Sequence, residues 1–280
     1  MKIIDAHAHL CHNAKGIDAI VDSGIFEQFW LMDLSGVGTL GKYQFATQEE
    51  LLQTVKRYDG FFLAFGFLDL DRAVPDDISR LARRDLGFVG LKPYKQFKPY
   101  SDPSYFPLYE RAQQLDMLML FHTGLIAQGK PYDGKYFHAF GPENMRPIYL
   151  AVIAEAFPDL QIIGGHQGWP WMEEVEHNLY FYRNITGDIS GYLRSVPRLN
   201  EILDRRAHDG TDRYFNDKLH FATDEFYGDE GCNARALRLV KFWESYFEFV
   251  GGFYYRWGRP EEQEKFFRGN AAELRKHFPK

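Results

Sequence analysis

Apolar runs of strand length alternate with segments of helical periodicity along the whole of this 280-residue chain. Such alternation is typical of βαβ units, in which helices connect parallel strands and pack on the sheet. Eight runs have strand character: Lys2–His7, Phe26–Leu31, Phe61–Phe67, Phe88–Lys92, Leu118–His122, Gln161–Gly165, Asn184–Asp188 and Lys218–Thr223. In a chain of this length, these runs predict an α/β fold with a closed (β/α)8 TIM barrel.

The segments between these runs carry the signals of helix ends. Thr47 and Glu50 form a capping-box pattern at the start of one helix, and Pro147 and Pro158 bracket another. No repeat, low-complexity tract or linker interrupts the sequence, so we expect residues 1–280 to form a single domain. The alternative is an open doubly wound sheet, which the absence of a glycine-rich phosphate-binding turn disfavours.

The net charge of the chain argues against a nucleic-acid partner. The formal net charge is -6 at pH 7, whereas a nucleic-acid-binding protein needs a basic face. We therefore expect a small-molecule substrate and no nucleic-acid partner. The apolar runs are shorter than the roughly 20 residues that cross a bilayer, so no contact with a membrane is expected.

Cysteine usage and the N-terminus favour a cytoplasmic protein. Cys11 and Cys232 are the only cysteines, and the charged and polar residues close to the N-terminus do not resemble a secretory signal. Aromatic residues concentrate in residues 242–257. We expect them to pack against the core, and the alternatives are a substrate wall or the surface of a homo-oligomer.

Two histidines lie two residues apart on the first predicted strand. Because side chains alternate along a strand, His7 and His9 point to the same side, where two imidazoles can share one cation. By the same alternation, Asp5 is expected deeper on that face, either as a partner of these histidines or as a buried structural group. An HxH pair alone is weak evidence, but the ends of barrel strands are where active sites form.

Polar residues also terminate three later strands. His122 ends the fifth strand in LMLFHTG, His166 ends the sixth in IIGGHQG, and Asp224 ends the eighth in LHFATD. Each could be a hydrogen-bonded structural residue at a loop junction, but their shared position at one end of different strands indicates a common site. Imidazoles and a carboxylate form a ligand set that suits Zn²⁺ or Mn²⁺.

Together, the motifs resemble the amidohydrolase-related branch of the amidohydrolase superfamily, which includes aminocarboxymuconate semialdehyde decarboxylase and pyrone dicarboxylate lactonase. The resemblance spans essentially the whole chain, through DAHAH, GLKPY, HTG, FPDLQIIGGHQG, NITGDISG, FATD and FFRGNAAEL. It implies that His7, His9, His122 and Asp224 are metal ligands and that His166 and Asp224 are catalytic. A metal-activated water would attack the substrate, and either His166 or Asp224 would move the proton.

Lys92 ends the fourth strand, where binuclear members of the superfamily carry a carboxylated lysine that bridges two metals. In the branch that this chain resembles, the lysine is usually unmodified. The resemblance therefore implies one divalent ion, Zn²⁺ ahead of Mn²⁺, and a second ion on a carboxylated Lys92 is the alternative. Lys92 and Tyr94 are then expected to contact the substrate. With Lys95 and Lys98, the KPYKQFK loop would bring positive charge to the mouth of the barrel, which predicts a carboxylate-bearing substrate.

Three functions are compatible with these residues. The first is a metal-dependent hydrolase of a small organic acid, and the second is a non-oxidative decarboxylase of an aromatic or muconate-like acid that uses the same site. The third is a non-catalytic barrel, which is disfavoured because converging buried imidazoles are costly without a role. TatD-type nucleases are less similar, since they carry a glutamate where this chain has Lys92. The hydrolase is preferred because that chemistry is widespread in the superfamily.

Overall fold

A closed ring of parallel strands forms the centre of the fold in the computed structural model, which describes residues 1–40, 42–83, 85–124, 141–191, 216–251 and 259–279. The strands are β1 Ile3–Leu10, β2 Phe26–Met32, β3 Phe62–Leu68, β4 Phe88–Pro93, β5 Leu118–His122, β6 Ile162–Gly165, β7 Ile185–Asp188, β8 Leu219–His220 and β9 Phe226–Tyr227. Their hydrogen-bonded order is β8-β7-β6-β5-β4-β3-β2-β1-β9, and every pair is parallel. The predicted α/β fold class, a (β/α)8 TIM barrel, is confirmed.

One stretch of chain, residues 219–227, closes the ring between β7 and β1. The backbone N–H of Ala6 donates to the carbonyl of Phe221 at 3.0 Å, and the N–H of Asp224 donates to the carbonyl of His7 at 2.8 Å. The eighth predicted strand, Lys218–Thr223, is thus shortened to β8, and a second short strand, β9, follows beyond its predicted end, because the chain bends to follow β1. Asp224 lies in this bend, with a φ of 59°.

The described helices are α1 Ile17–Asp22, α2 Gln48–Arg57, α3 Pro75–Leu81, α4 Phe106–Gln114, α5 Ile148–Ala156, α6 Met172–Phe181, α7 Glu230–Gly251, α8 Pro260–Glu264 and α9 Asn270–Leu274. The predicted capping box begins α2: the N–H of Glu50 donates to Thr47 Oγ1 at 3.2 Å, and the N–H of Thr47 donates to Glu50 Oε2 at 2.8 Å. A short antiparallel hairpin, Thr39–Leu40 with Tyr43–Gln44, follows β2. No described helix has both the length and the apolar character that crossing a membrane would require.

Two apolar clusters pack the barrel, one inside the ring of strands and one between the strands and the helices around them. The interior cluster contains side chains from several strands together with the terminal helix α9: Ile4, Ala6, Trp30, Met32, Phe65, Leu118, Leu120, Ile163, Ala271 and Leu274. A larger cluster packs the outer faces of the strands against the helices. These apolar side chains fill the interior toward the amino ends of the strands, so the polar side chains described below converge at the carboxyl ends.

The alternation of side chains along β1 changes phase in its middle. The pairing with β2 shifts register between Asp5 and Ala8, so that Ala6 belongs to the interior cluster whereas Ala8 packs in the outer one. Asp5 accepts hydrogen bonds from Thr223 Oγ1 at 2.6 Å and from the hydroxyl of Tyr227, a member of the outer cluster, at 2.8 Å. The prediction that Asp5 shares the face of the strand-one histidines is therefore wrong, and Asp5 ties β1 to the closing segment.

The aromatic segment lies mostly on α7. Trp243, Tyr246 and Phe247 are buried in the outer cluster, as expected for core packing, whereas Phe249 is exposed. The remaining part of that segment, residues 252–257, lies outside the described residues. A homo-oligomer and a cytoplasmic location stay predictions.

Candidate metal centre

The side chains predicted from the strand ends meet at one end of the barrel, together with Asp188, which was not predicted. His7 and His9 extend from β1, and the others stand at or just beyond the ends of β4 to β8: Lys92, His122, His166, Asp188 and Asp224. All are buried except His166 and Asp224, which are partly exposed. The site is therefore open to solvent on the side of these two residues.

His7, His9 and Asp224 form a compact group of possible metal-ligand atoms. Asp224 Oδ1 lies 3.0 Å from His9 Nε2 and 3.5 Å from His7 Nε2. In tetrahedral zinc sites with N and O ligands, neighbouring ligand atoms are about 3.3 Å apart, as bond lengths near 2.0 Å require. The spacing of these donors therefore fits one divalent ion, which three residues of the chain would hold.

Hydrogen bonds on the other ring nitrogens orient both histidines for this role. His7 Nδ1 donates to Asp188 Oδ2 at 2.8 Å, and His9 Nδ1 donates to the carbonyl of Met32 at 3.3 Å. Because carbonyls and ionised carboxylates only accept, the proton of each neutral ring is on Nδ1 and the lone pair is on Nε2. Burial and the neighbouring Lys92 lower the pKa of His7 to about 3, so this ring is neutral near pH 7.

Asp188 is the functional residue that the sequence interpretation missed. Besides the bond to His7, its carboxylate accepts from the N–H of His166 at 3.0 Å, from the N–H of Ser190 at 3.0 Å and from Ser190 Oγ at 2.6 Å. Burial opposes ionisation, but the interactions with His7, His166 and Ser190 keep the pKa of Asp188 below its usual range. Asp188 ends the seventh strand in NITGDISG, so the strand-end rule that identified the other residues applied to it as well.

A glycine makes room for the contact between Asp188 and His7. A Cβ at Gly165 would lie 3.2 Å from Asp188 Oδ2 and 3.4 Å from His7 Cε1. The first of these distances is shorter than a comfortable contact, and both atoms belong to rigidly held groups. A larger residue at the end of β6 would therefore push against the hydrogen bond that orients His7.

His166 follows β6 with a φ of 66°, in the left-handed region that non-glycine residues rarely adopt. Its Nδ1 lies 2.9 Å from Ser190 Oγ. Since the single hydroxyl proton of Ser190 is donated to Asp188, this oxygen accepts from His166, and the proton of the neutral ring is on Nδ1. The lone pair of His166 is consequently on Nε2. Burial lowers the pKa of His166, which favours the neutral ring.

His122 lies beside this group of atoms. Its ring is 4.4 Å from that of His166 and 5.2 Å from that of Tyr94, between ring centroids. Among the described residues, its nitrogens do not belong to the compact group of His7, His9 and Asp224, nor to the second such group, His7, His166 and Asp188. Of the four predicted ligands the structure thus brings three together, and the ring of His122 lies next to those of His166 and the buried Tyr94.

Lys92 points into the site instead of toward solvent. Its side chain is buried, with 1% of the residue exposed, and Nζ lies 3.0 Å from His7 Nε2. Burial lowers the pKa of Lys92 to about 8 against the attraction of Asp188 and Asp224. Lys95 lies over the ring of Tyr94, and Lys98 donates to Ser104 Oγ. Of the three lysines of this loop, Lys92 is thus the one whose ammonium group contacts a possible metal ligand.

Asp224 is the most open of the three possible ligands, with 34% of its side chain exposed. Burial of its carboxylate would raise its pKa, but the imidazoles of His166, His9 and His7 hold it well below the usual range. Like His166, it occupies the left-handed region, with a φ of 59°. Such conformations cost about 1–3 kcal/mol each and cluster at functional sites.

One comparison with known proteins identifies a family. The family model described as amidohydrolase matches residues 4–274. A comparison with curated protein sequences finds no match.

Three solved structures share the fold over nearly their whole length. An uncharacterized TIM-barrel protein from Bordetella bronchiseptica is 16% identical, with a TM-score of 0.69 and 99% of both chains covered. A probable 2-pyrone-4,6-dicarboxylic acid hydrolase from Acinetobacter baumannii is 14% identical, with a TM-score of 0.60 over 98% of this chain and 99% of its own. The 5-carboxyvanillate decarboxylase of Novosphingobium aromaticivorans, complexed with manganese, is 15% identical, with a TM-score of 0.57 over 98% and 96%. At these identities the likeness shows the fold alone.

Replacing Asp188 by asparagine tests how the site is held. We expect Asp188→Asn to weaken the binding of Zn²⁺ about 10–100-fold, because the neutral amide holds the His7 ring less firmly and makes Nε2 less basic. Isothermal titration calorimetry measures the dissociation constant. Asp33→Asn is the control, since Asp33 is also buried and, within the described part of the chain, its carboxylate accepts from the N–H of Ser35 and from Gln48 Nε2. Equal affinities of the wild type and Asp188→Asn would contradict this role.

Proposed function

This chain belongs to the amidohydrolase family, and we propose that it is a metal-dependent hydrolase of a small, carboxylate-bearing substrate. The observation that carries this proposal is that three possible ligand atoms lie close together. The Nε2 atoms of His7 and His9, each with its lone pair, lie within 3.5 Å of Asp224 Oδ1. These residues would hold Zn²⁺, or else Mn²⁺. When bound, the ion would polarise the scissile bond and lower the pKa of a water molecule.

We assign the proton transfer to His166. Its Nδ1 donates to Ser190, so the neutral ring offers the Nε2 lone pair as a base, and its partial exposure lets it meet substrate. A base accepts the proton of the attacking water and later returns it to the leaving group. Ser190 and Asp188 fix the tautomer that this requires.

Asp224 is better suited to hold the ion than to move a proton. The three surrounding imidazoles keep its pKa well below that of an ordinary aspartate, which makes its carboxylate a weak base. Its charge offsets that of a divalent ion at the site, and the strained backbone aims the carboxylate between His7 and His9. We therefore propose this division of roles for the two residues between which the sequence left the choice open.

Lys92 supports the carboxylate-bearing substrate. In this structure its ammonium group donates to His7 Nε2, and an ion held by that nitrogen would replace the hydrogen bond. A buried ammonium group that loses its acceptor is costly unless an anion pairs with it. A substrate carboxylate would supply that anion, and Tyr94, whose ring lies next to that of His122, is a further proposed substrate contact.

Non-oxidative decarboxylation is the second candidate. The observation that favours it is the position of Lys92, since a carboxylate bound at an ammonium group 3.0 Å from His7 would lie beside the ion. In that reaction the carboxylate would leave as carbon dioxide, and His166, having first accepted a proton from water at Nε2, would deliver it to the ring carbon. The same residues therefore serve two reactions, which differ in their products.

The products of a substrate panel distinguish the two reactions. We expect protein loaded with Zn²⁺ or Mn²⁺ to open the ring of a lactone such as 2-pyrone-4,6-dicarboxylate. The loss of the ultraviolet absorbance of the lactone measures this reaction. His166→Asn should lower kcat about 10²–10⁴-fold while elemental analysis finds unchanged metal content. Carbon dioxide release from hydroxybenzoates without lactone hydrolysis would overturn the hydrolase in favour of the decarboxylase, and an unaltered kcat in His166→Asn would remove the assigned base.

Removing the charge of Lys92 tests the substrate class. We expect Lys92→Met, assayed at saturating metal, to raise KM for a dicarboxylate lactone about tenfold or more, since a charge-assisted hydrogen bond contributes roughly 1.5–3 kcal/mol. KM for a neutral lactone such as dihydrocoumarin serves as the internal control and should be unchanged. Equal KM values for the dicarboxylate in wild type and variant would contradict the assignment.

A further inference from the structure

An ion pair stands directly behind the possible metal ligand Asp224. The next residue, Glu225, is buried and pairs with Arg235 of α7 through two bonds: Nε to Oε1 at 2.8 Å and Nη2 to Oε2 at 2.7 Å. A bidentate pair of this kind fixes the plane of the carboxylate as well as its position. The orientation of Glu225 is therefore set from α7.

Glu225 anchors the chain on the carboxyl side of the strained Asp224. Its carbonyl accepts from the backbone N–H of His9 at 2.9 Å, and its own N–H donates to Thr223 Oγ1 at 3.2 Å. A left-handed aspartate persists only where the flanking chain is held on both sides. Asp224 itself is held on its amino side by the carbonyl of His7.

Arg235 also reaches the second imidazole of the group. Its Nη2 lies 3.0 Å from the hydroxyl of Tyr43, and the ring of Tyr43 stacks on Phe226 with 4.9 Å between centroids. Phe226 in turn contacts the ring of His9, with a centroid distance of 5.2 Å. One guanidinium group is thus connected to both His9 and Asp224.

We propose that Arg235, acting through Glu225 and Tyr43, is a positioning residue that sets the geometry of His9 and Asp224 at the metal centre. This inference rests on the proposed function insofar as these two residues hold an ion. Arg235 has 38% of its side chain exposed, whereas its partner Glu225 is buried, with 12% exposed. The loss of Arg235 therefore leaves a buried carboxylate without its cation, and metal binding is measured at a temperature at which the variant is folded.

The test compares two arginine variants that lose similar ion pairs. Arg235→Gln is expected to weaken Zn²⁺ binding about tenfold, at the lower end of the effect of removing a supporting partner, and to shift the visible absorption bands of the Co²⁺-loaded protein. Arg235→Lys should recover only part of the affinity, because an ammonium group cannot make the bidentate contact. The measurements are competition with a chromogenic chelator and the Co²⁺ spectrum.

Arg268→Gln is the matched control. Arg268 pairs with Glu27 through Nε at 2.5 Å and is 37% exposed, close to the value for Arg235, but Glu27 lies at the amino end of β2, away from the site. We expect this variant to bind Zn²⁺ and Co²⁺ as the wild type does. If Arg235→Gln does not fold, Glu225→Gln replaces it, since it removes the same ion pair.

Two results would overturn the inference. The first is an affinity and a Co²⁺ spectrum in Arg235→Gln equal to those of the wild type, and the second is an equal loss of affinity in Arg268→Gln. Wild-type protein that binds metal but hydrolyses no lactone defeats the proposed function and leaves this test intact. Wild-type protein that binds no metal defeats both.

Discussion

The charge of Asp188 inside the barrel is the constraint on which the rest of the site depends. Asp188 is fully buried, and a buried carboxylate is tolerated only where donors compensate for the lost water. Four donors do so here, from His7, the backbone of His166, and the backbone and hydroxyl of Ser190. Through them one carboxylate orients a ligand ring, fixes the tautomer of the proposed base and holds the turn after β6.

The two residues of the site that are open to solvent are also the two in strained conformations. His166 and Asp224 both have positive φ, at 66° and 59°, and both stand where the chain leaves a strand abruptly. Hydrogen bonds to rigid neighbours compensate for the strain. The backbone N–H of His166 donates to the carboxylate of Asp188, and the N–H of Asp224 donates to the carbonyl of His7. The strained backbone and the fixed partner together direct each side chain into the site. A side chain in an unconstrained loop would rotate freely and would not be held there.

The sequence predicts the barrel and most of the site because both follow from simple patterns. Apolar runs locate the strands, and polar residues such as His122, His166 and Asp224 stand where those runs end. The face of Asp5 could not be predicted, because a register shift in β1 breaks the alternation on which the prediction depended. The burial of Lys92 is equally invisible in the sequence, since it depends on which way the end of β4 faces. Asp188 was within reach, as a polar residue at the end of the seventh strand.

The central claim is that His7, His9 and Asp224 hold one divalent ion, and metal content tests it most directly. The measurement is elemental analysis of untagged protein purified without chelators, compared with the double variant His7→Ala/His9→Ala. The account predicts one equivalent of Zn or Mn per chain in the wild type and none in the variant. Wild-type protein that remains free of metal after reconstitution would contradict it, as would a variant that retains the full equivalent.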